Sequence, residues 1–228
     1  TSFDTNCVTA LGCTDTLAYN YDSTATINDG SCYYGKTYVP DDNFENYLEA
    51  NGMGDGIILN ESVLTSNIDT VTYLDVSWLN VSLTGIEDFT ALTYLDCSNN
   101  NLTSLNVSQN TALTYLNCQN NLLTSLDVSN NTALIELNCK NNQLTTLDVS
   151  QNTSLTYLNC RSNLLTSLDV SQNTALTELL CYNNQLTSLD LRNHSLSNLD
   201  LSTINNPQLF CIDVDYPLLA QSLLSSSN

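Results

Sequence analysis

Positive charge is nearly missing from this sequence. Four Lys and Arg stand against 24 Asp and Glu in 228 residues, with one His, for a formal net charge of −20. That excludes nucleic-acid binding, because phosphate neutralisation needs clustered Lys and Arg. Docking on an anionic membrane fails for the same reason. Seven Gly and three Pro are too few for a collagen-like or flexible low-complexity chain. No run of 18 apolar residues occurs, so no membrane-inserting helix is expected. Residues Thr1 to Asn6 show no basic or apolar stretch of a secretion signal, and a mature or excised chain is expected. There is no H-E-x-x-H, no C-x-x-C and no Gly-rich phosphate loop.

What is present is repetition. Leu92 to Ala112 reads LTYLDCSNNNLTSLNVSQNTA, and Leu113 to Ala133 reads LTYLNCQNNLLTSLDVSNNTA. Blocks starting at Leu134, Leu155 and Leu176 follow, and Val71 to Ala91 is a degenerate first copy. Within each 21-residue block Leu recurs at positions 1, 4, 11 and 14, Cys at 6, Asn at 9, and Val or Leu at 16. Each half holds a short in-out-in alternation, the mark of a strand. The Asn that follows suits a tight turn, since its amide can bond nearby backbone groups. One such coil cannot bury its Leu face alone, whereas stacked coils can.

These L-x-x-L-x-C-x-x-N-x-L copies resemble the leucine-rich repeat family over Val71 to Val214. Their 21-residue length resembles the short bacterial IRREKO-type subclass, and the flanks resemble modules of secreted or surface proteins of marine Bacteroidetes. The resemblance implies a β-rich solenoid with two short strands per coil and a setting outside the cell. A 21-residue coil has no room for a helix, so weak curvature is expected. An open solenoid end needs a cap. Pro40 to Glu49 reads as a short N-terminal capping helix, with Asp42 and Glu45 at capping-box spacing and Asn51-Gly52 as its stop. Gly54 to Ile57 fails as a calcium loop and reads as a turn. Asn206 to Ile212 resembles a C-terminal cap. The expected layout is the tail of a preceding repeat unit at 1–12, a Cys/Asp module at 13–35, the cap at 36–70, the repeats at 71–195, the C-terminal cap at 196–216 and a tail at 217–228. Such a layout implies a piece of a larger multi-module chain.

The module brackets Asp15, Asp22 and Asp29 between Cys13 and Cys32. So small a unit has little core, and a Cys13–Cys32 bridge is its natural staple. Either the three Asp hold calcium with backbone carbonyls, or they only favour turns. No other cofactor is expected. Cys97, Cys118, Cys139, Cys160 and Cys181 stand 21 residues apart, as a ladder of buried free thiols. His194 fills a turn position. Asp127, Asp148, Asp169 and Asp190 form an outward, solvated column. Repeated carboxylates share one environment and cannot split into acid and base, so no enzyme is expected.

The two halves of the repeat differ in one informative way. The second half barely changes from coil to coil. The first half varies at outward positions: Tyr94, Tyr115, Glu136, Tyr157 and Glu178 at position 3; Asp96, Asn117 and Asn159 at position 5; Lys140, Arg161 and Tyr182 at position 7. Tyr, Arg and Asn are recognition chemistry. The sequence therefore points to an extracellular, non-catalytic binding or adhesion module that recognises protein or polysaccharide through this face. The alternatives are a rigid spacer of a larger surface protein, and ice binding through the Thr columns at positions 12 and 20.

Overall fold

The computed structural model describes residues 10–16, 18, 21–32, 35–194 and 199–215. Cys7, most of the segment 1–12 and the tail 217–228 lie outside the described residues.

The repeats stack as a right-register parallel sheet of seven strands. Tyr73–Asp75, Tyr94–Asp96, Tyr115–Asn117, Glu136–Asn138, Tyr157–Asn159, Glu178–Leu180 and Asp200–Ser202 pair in chain order. The middle residue of each strand points inward. Leu95, Leu116, Leu137, Leu158 and Leu179 are fully buried, with the Leu of positions 1 and 11, the Cys of position 6 and the Val of position 16 packed around them. Burying one Leu is worth about 2 kcal/mol, but only if a neighbouring coil covers it. The core is one continuous cluster from Val39 to Ile212. The solenoid thus has the leucine-rich repeat fold.

The second half forms strands only at Ser167–Asp169, Ser188–Asp190 and Cys211–Asp213, which pair in parallel. In the coils before them the same stretch has no regular secondary structure. A side-chain ladder follows it in each coil. Asn131 Nδ2 donates to the carbonyls of Val107 and Asn110 in the preceding coil, both at 2.9 Å, and Asn110, Asn152 and Asn173 repeat the arrangement. His194 takes over this position in its own coil, with Nε2 3.0 Å from the Asn173 carbonyl.

A second ladder locks the first half. Asn121 Nδ2 donates to Cys97 and Cys118 carbonyls at 3.0 and 3.1 Å, and its Oδ1 accepts from the Leu102 N–H at 3.0 Å. Asn100, Asn142, Asn163, Asn184 and Asn206 do the same in their coils. One residue earlier the chain turns through positive φ, at Asn99, Asn120, Asn141, Ser162 and Asn183. Asn tolerates that conformation better than Ser. Successive amides also bond along the column, Asn120 to Asn99 and Asn141 to Asn120 at 2.6 Å, whereas Asn183 reaches only the Ser162 hydroxyl at 3.4 Å. Ser162→Asn is therefore expected to stabilise the protein by about 0.5–1 kcal/mol, read as a higher urea midpoint; a lower midpoint would contradict this account of the turn.

The cap differs from expectation by one residue. The helix Asp42–Ala50 is capped by Asp41, whose side chain accepts the Phe44 N–H at 2.9 Å. Asp42 and Glu45 form no box. Glu45 is fully buried, and its carboxylate accepts the N–H groups of Asn60 and Glu61. Two unpaired loop donors are a stronger demand than a second cap contact. Asp41 also accepts the Ser82 N–H, which ties the cap to the first coil. The Gly54–Ile57 segment is a turn: Asp55 pairs with Lys36 at 2.7 Å and accepts the Ile57 N–H. At the other end, where a C-terminal cap is expected, residues 199–215 form a further coil. Asp200–Ser202 extends the first sheet, Asn206 joins the Asn ladder, and Cys211–Asp213 extends the second. The coil hides in the sequence because its registers are offset by 22 and 23 residues, and Thr203 stands buried in the Cys column.

Candidate binding face

The outward positions of the seven-stranded sheet make one face with three columns. In the first, Tyr73, Tyr94, Tyr115, Glu136, Tyr157, Glu178 and Asp200 are register partners. The first three rings stack, with centroids 4.4 Å apart for Tyr73 and Tyr94 and 4.2 Å for Tyr94 and Tyr115, at interplanar angles of 15° and 3°. Strand spacing of about 4.8 Å imposes this stacking on any aromatic column. Burial by neighbouring rings, then each other's hydroxyls and Asp96, hold the Tyr94 phenol far above its ordinary range; burial likewise raises Tyr115. Both stay neutral phenols at ordinary pH.

The second column is polar and ordered. Asp96 accepts the Ser98 N–H at 2.9 Å with one oxygen and Asn117 Nδ2 at 2.8 Å with the other. Asn159 Nδ2 donates to the Tyr157 hydroxyl at 3.0 Å. Asn117 and Asn159 are nearly buried, so these groups are fixed rather than floppy. The third column holds Lys140, Arg161 and Tyr182. Arg161 donates to the Tyr182 hydroxyl, and its guanidinium carbon lies 5.1 Å from that ring's centroid. All eleven residues expected from sequence lie in these columns. Sequence reasoning missed Tyr73, which is 59% exposed and begins the stack, and Trp78, 76% exposed with φ 62°. A bulky side chain at positive φ is strained. Both fall in the degenerate first copy; sliding VTYLDVSW under LTYLDCSN would have shown Tyr73 in its column.

The remaining candidates are accounted for structurally. Cys13 and Cys32 form a disulfide. The module's own strands, Leu11–Gly12 and Ile27–Asn28, pair in parallel, so it begins before Cys13. Asp22 accepts the N–H and hydroxyl of Thr24, and Asp29 the Ser31 N–H. Among the described residues no three His, Cys, Asp or Glu side chains stand together as metal ligands, so the structure does not assemble Asp15, Asp22 and Asp29 into such a set. The five ladder cysteines are free and buried, and burial pushes the Cys139 and Cys181 thiols up to about 12. They are inert apolar groups, not nucleophiles.

The second-half Asp column caps its own turns. Asp127 and Asp148 accept the Ser129 and Ser150 N–H groups at 2.9 Å, and these bonds hold both carboxyls below the usual range. A carboxyl lowered in the fold stabilises it above the unfolded pKa of about 3.9, and loses that contribution as pH falls through the folded value. The urea midpoint is thus expected to drop between about pH 5 and pH 3. Asp127→Asn/Asp148→Asn should flatten that slope; an unchanged slope would contradict it. Two grooves, of about 220 and 390 Å³, also lie along the second half, near Glu87 and Thr103 and near Asp148 and Ser167. Neither carries an aromatic side chain.

No protein-family model matches this chain, and no curated protein does. Solved structures do. The functional domain of InlJ from Listeria monocytogenes, which includes a cysteine ladder, is 38% identical with a TM-score of 0.60, over 80% of this chain and 48% of that one. A leucine-rich repeat protein of Leptospira interrogans is 28% identical with a TM-score of 0.51, over 67% of this chain and 45% of that one. The chain spans about half the length of either structure.

Proposed function

We propose that this chain is a non-catalytic binding module that holds an extended protein or polysaccharide ligand against the first-half face, outside the cell. One observation carries the reading: the Tyr73–Tyr94–Tyr115 stack stands on strand positions beside an ordered row of Asp96, Asn117 and Asn159. Rigid aromatic platforms bind at low entropic cost, and fixed amides and carboxylates select hydroxyls and N–H groups. The Cys13–Cys32 bridge supports an oxidising setting. The free thiols do not oppose it, because they are buried as protonated groups.

The test is a screen of immobilised glycans and surface proteins with the wild type and a Tyr94→Ala/Tyr115→Ala variant. Two aromatic contacts are worth about 1–3 kcal/mol in all, so roughly 5- to 150-fold weaker retention is expected. Equal retention by the variant would leave a spacer as the better reading.

A further inference from the structure

The four basic residues divide into two kinds. Lys36 is paired with Asp55, and Arg192 with Asp190. Lys140 and Arg161 pair with no carboxylate among the described residues, although acids outnumber bases six to one, 24 to 4. Instead they stand side by side on adjacent coils, where the sequential bonds Asn120 N–H to Lys140 carbonyl and Asn141 N–H to Arg161 carbonyl carry the strand register onward. Like charges at neighbouring positions repel. Burial, and then Arg161, lower the Lys140 amine's hold on its proton. Arg161 is fixed in this place by its bond to Tyr182 and by that ring, yet its Nε–H is buried without an acceptor. A buried unpaired donor on a guanidinium is costly unless something accepts it. Two unneutralised cations and one orphaned donor converge on a single spot of the proposed binding face.

Resting on that reading of the face, we propose that Lys140 and Arg161 form an oxyanion subsite for an isolated carboxylate or sulfate carried by an otherwise neutral polysaccharide. An oxyanion between the two would relieve their repulsion and accept from the guanidinium and the ammonium together. The surroundings select sparse charge. Glu136 stands four residues before Lys140 in the same coil, about 13 Å away at strand rise, and Glu178 takes the equivalent position in the coil after Arg161. The whole chain carries −20. A densely charged polymer meets that repulsion, whereas a single anionic group among hydroxyls does not: its hydroxyls face Glu136, Tyr157 and Glu178 while its anion faces the two cations. An acidic peptide brings further carboxylates toward the Glu column.

The direct test follows the Arg161 Nε–H resonance by NMR during titration with sodium sulfate and, separately, sodium glucuronate, at ionic strength held constant with sodium chloride. A saturable shift with one or both anions is expected, and the stronger of the two names the group. Lys140→Gln should weaken it about tenfold, and Lys36→Gln, whose cation is already paired, should leave it unchanged. No saturable shift with either anion, or an unchanged shift in Lys140→Gln, overturns the subsite. The ligand class is tested by retention on highly methyl-esterified pectin, on polygalacturonate and on an aspartate-rich peptide. Strongest retention on the sparsely charged pectin supports the assignment; preference for either other probe, or retention on none, overturns it. A persistent Nε–H shift with sugar retention unaffected by Tyr94→Ala/Tyr115→Ala would sink the wider face reading and leave the subsite standing.

Discussion

Asn121→Ala is expected to remove about 4 kcal/mol of stability, a large part of the 5–15 kcal/mol typical of a domain. The side chain is almost buried and makes bonds in three directions at once: to the Cys97 carbonyl of the coil before, to the Cys118 carbonyl of its own coil, and from the Leu102 N–H. Alanine leaves that N–H orphaned at about 1–3 kcal/mol, removes one of two donors from each carbonyl, and opens a cavity. The carbonyls are not wholly stranded, because Asn100 still serves Cys97 and Asn142 still serves Cys118. Asn131→Ala in the other ladder should cost less, about 2 kcal/mol. There only the amide donates, and its oxygen already lacks a partner. Urea unfolding by circular dichroism checks both, and a solenoid weakened at one coil is expected to unfold in two steps. Equal losses at the two positions, or less than about 1 kcal/mol at Asn121, would contradict the ladder account.

Gly85→Ala should cost about 3 kcal/mol, and the loss should fall on the junction between cap and first coil. Gly85 sits at φ 99°, which L residues rarely adopt, and it opens the short helical turn Ile86–Asp88. A Cβ there would stand 2.7 Å from the Tyr38 carbonyl oxygen, so the backbone of the cap strand Lys36–Tyr38 would have to retreat. The same strand is held by Thr37, whose hydroxyl donates to Asp88 at 2.6 Å. Movement would also disturb the contact of Phe44 with Phe89, ring centroids 6.2 Å apart, which joins the two cores. Limited proteolysis of the variant should cut first within residues 36–70, while the later coils persist. A variant with wild-type resistance and an unmoved urea midpoint would show that the cap tolerates the shift.

The repeat itself was legible because its period is written in the chain five times over. Spacing alone placed Leu95 and its equivalents inside and Tyr94, Asn117 and Arg161 on the outer face. Other features hid for physical reasons. The Asn of position 9 was read as a local turn residue, but its bonds run to the neighbouring coil, and no one-coil pattern reports that. The second-half strand depends on pairing with a neighbour, so the SLD segments at 167–169 and 188–190 form strands while the one at 125–127 has no regular secondary structure. The seventh coil is hidden in the sequence because one inserted residue before its first strand and a second before the next break the period while the buried positions stay filled. Glu45 was assigned to its own helix by spacing, and a distant loop claimed it. The pairing of Lys140 with Arg161 was visible as two adjacent cations; the missing acceptor at Arg161 Nε was not.

The central claim is that the first-half face is where a ligand sits. Hydroxyl-radical footprinting with a retained ligand bound tests it residue by residue. Protection of Tyr73, Tyr94, Tyr115 and Tyr157, with Leu122 and Leu164 on the adjoining turns little changed, is the predicted result. Protection instead in the second-half groove, at the partly exposed Leu105, would place the ligand on the other half of the coil and contradict the account.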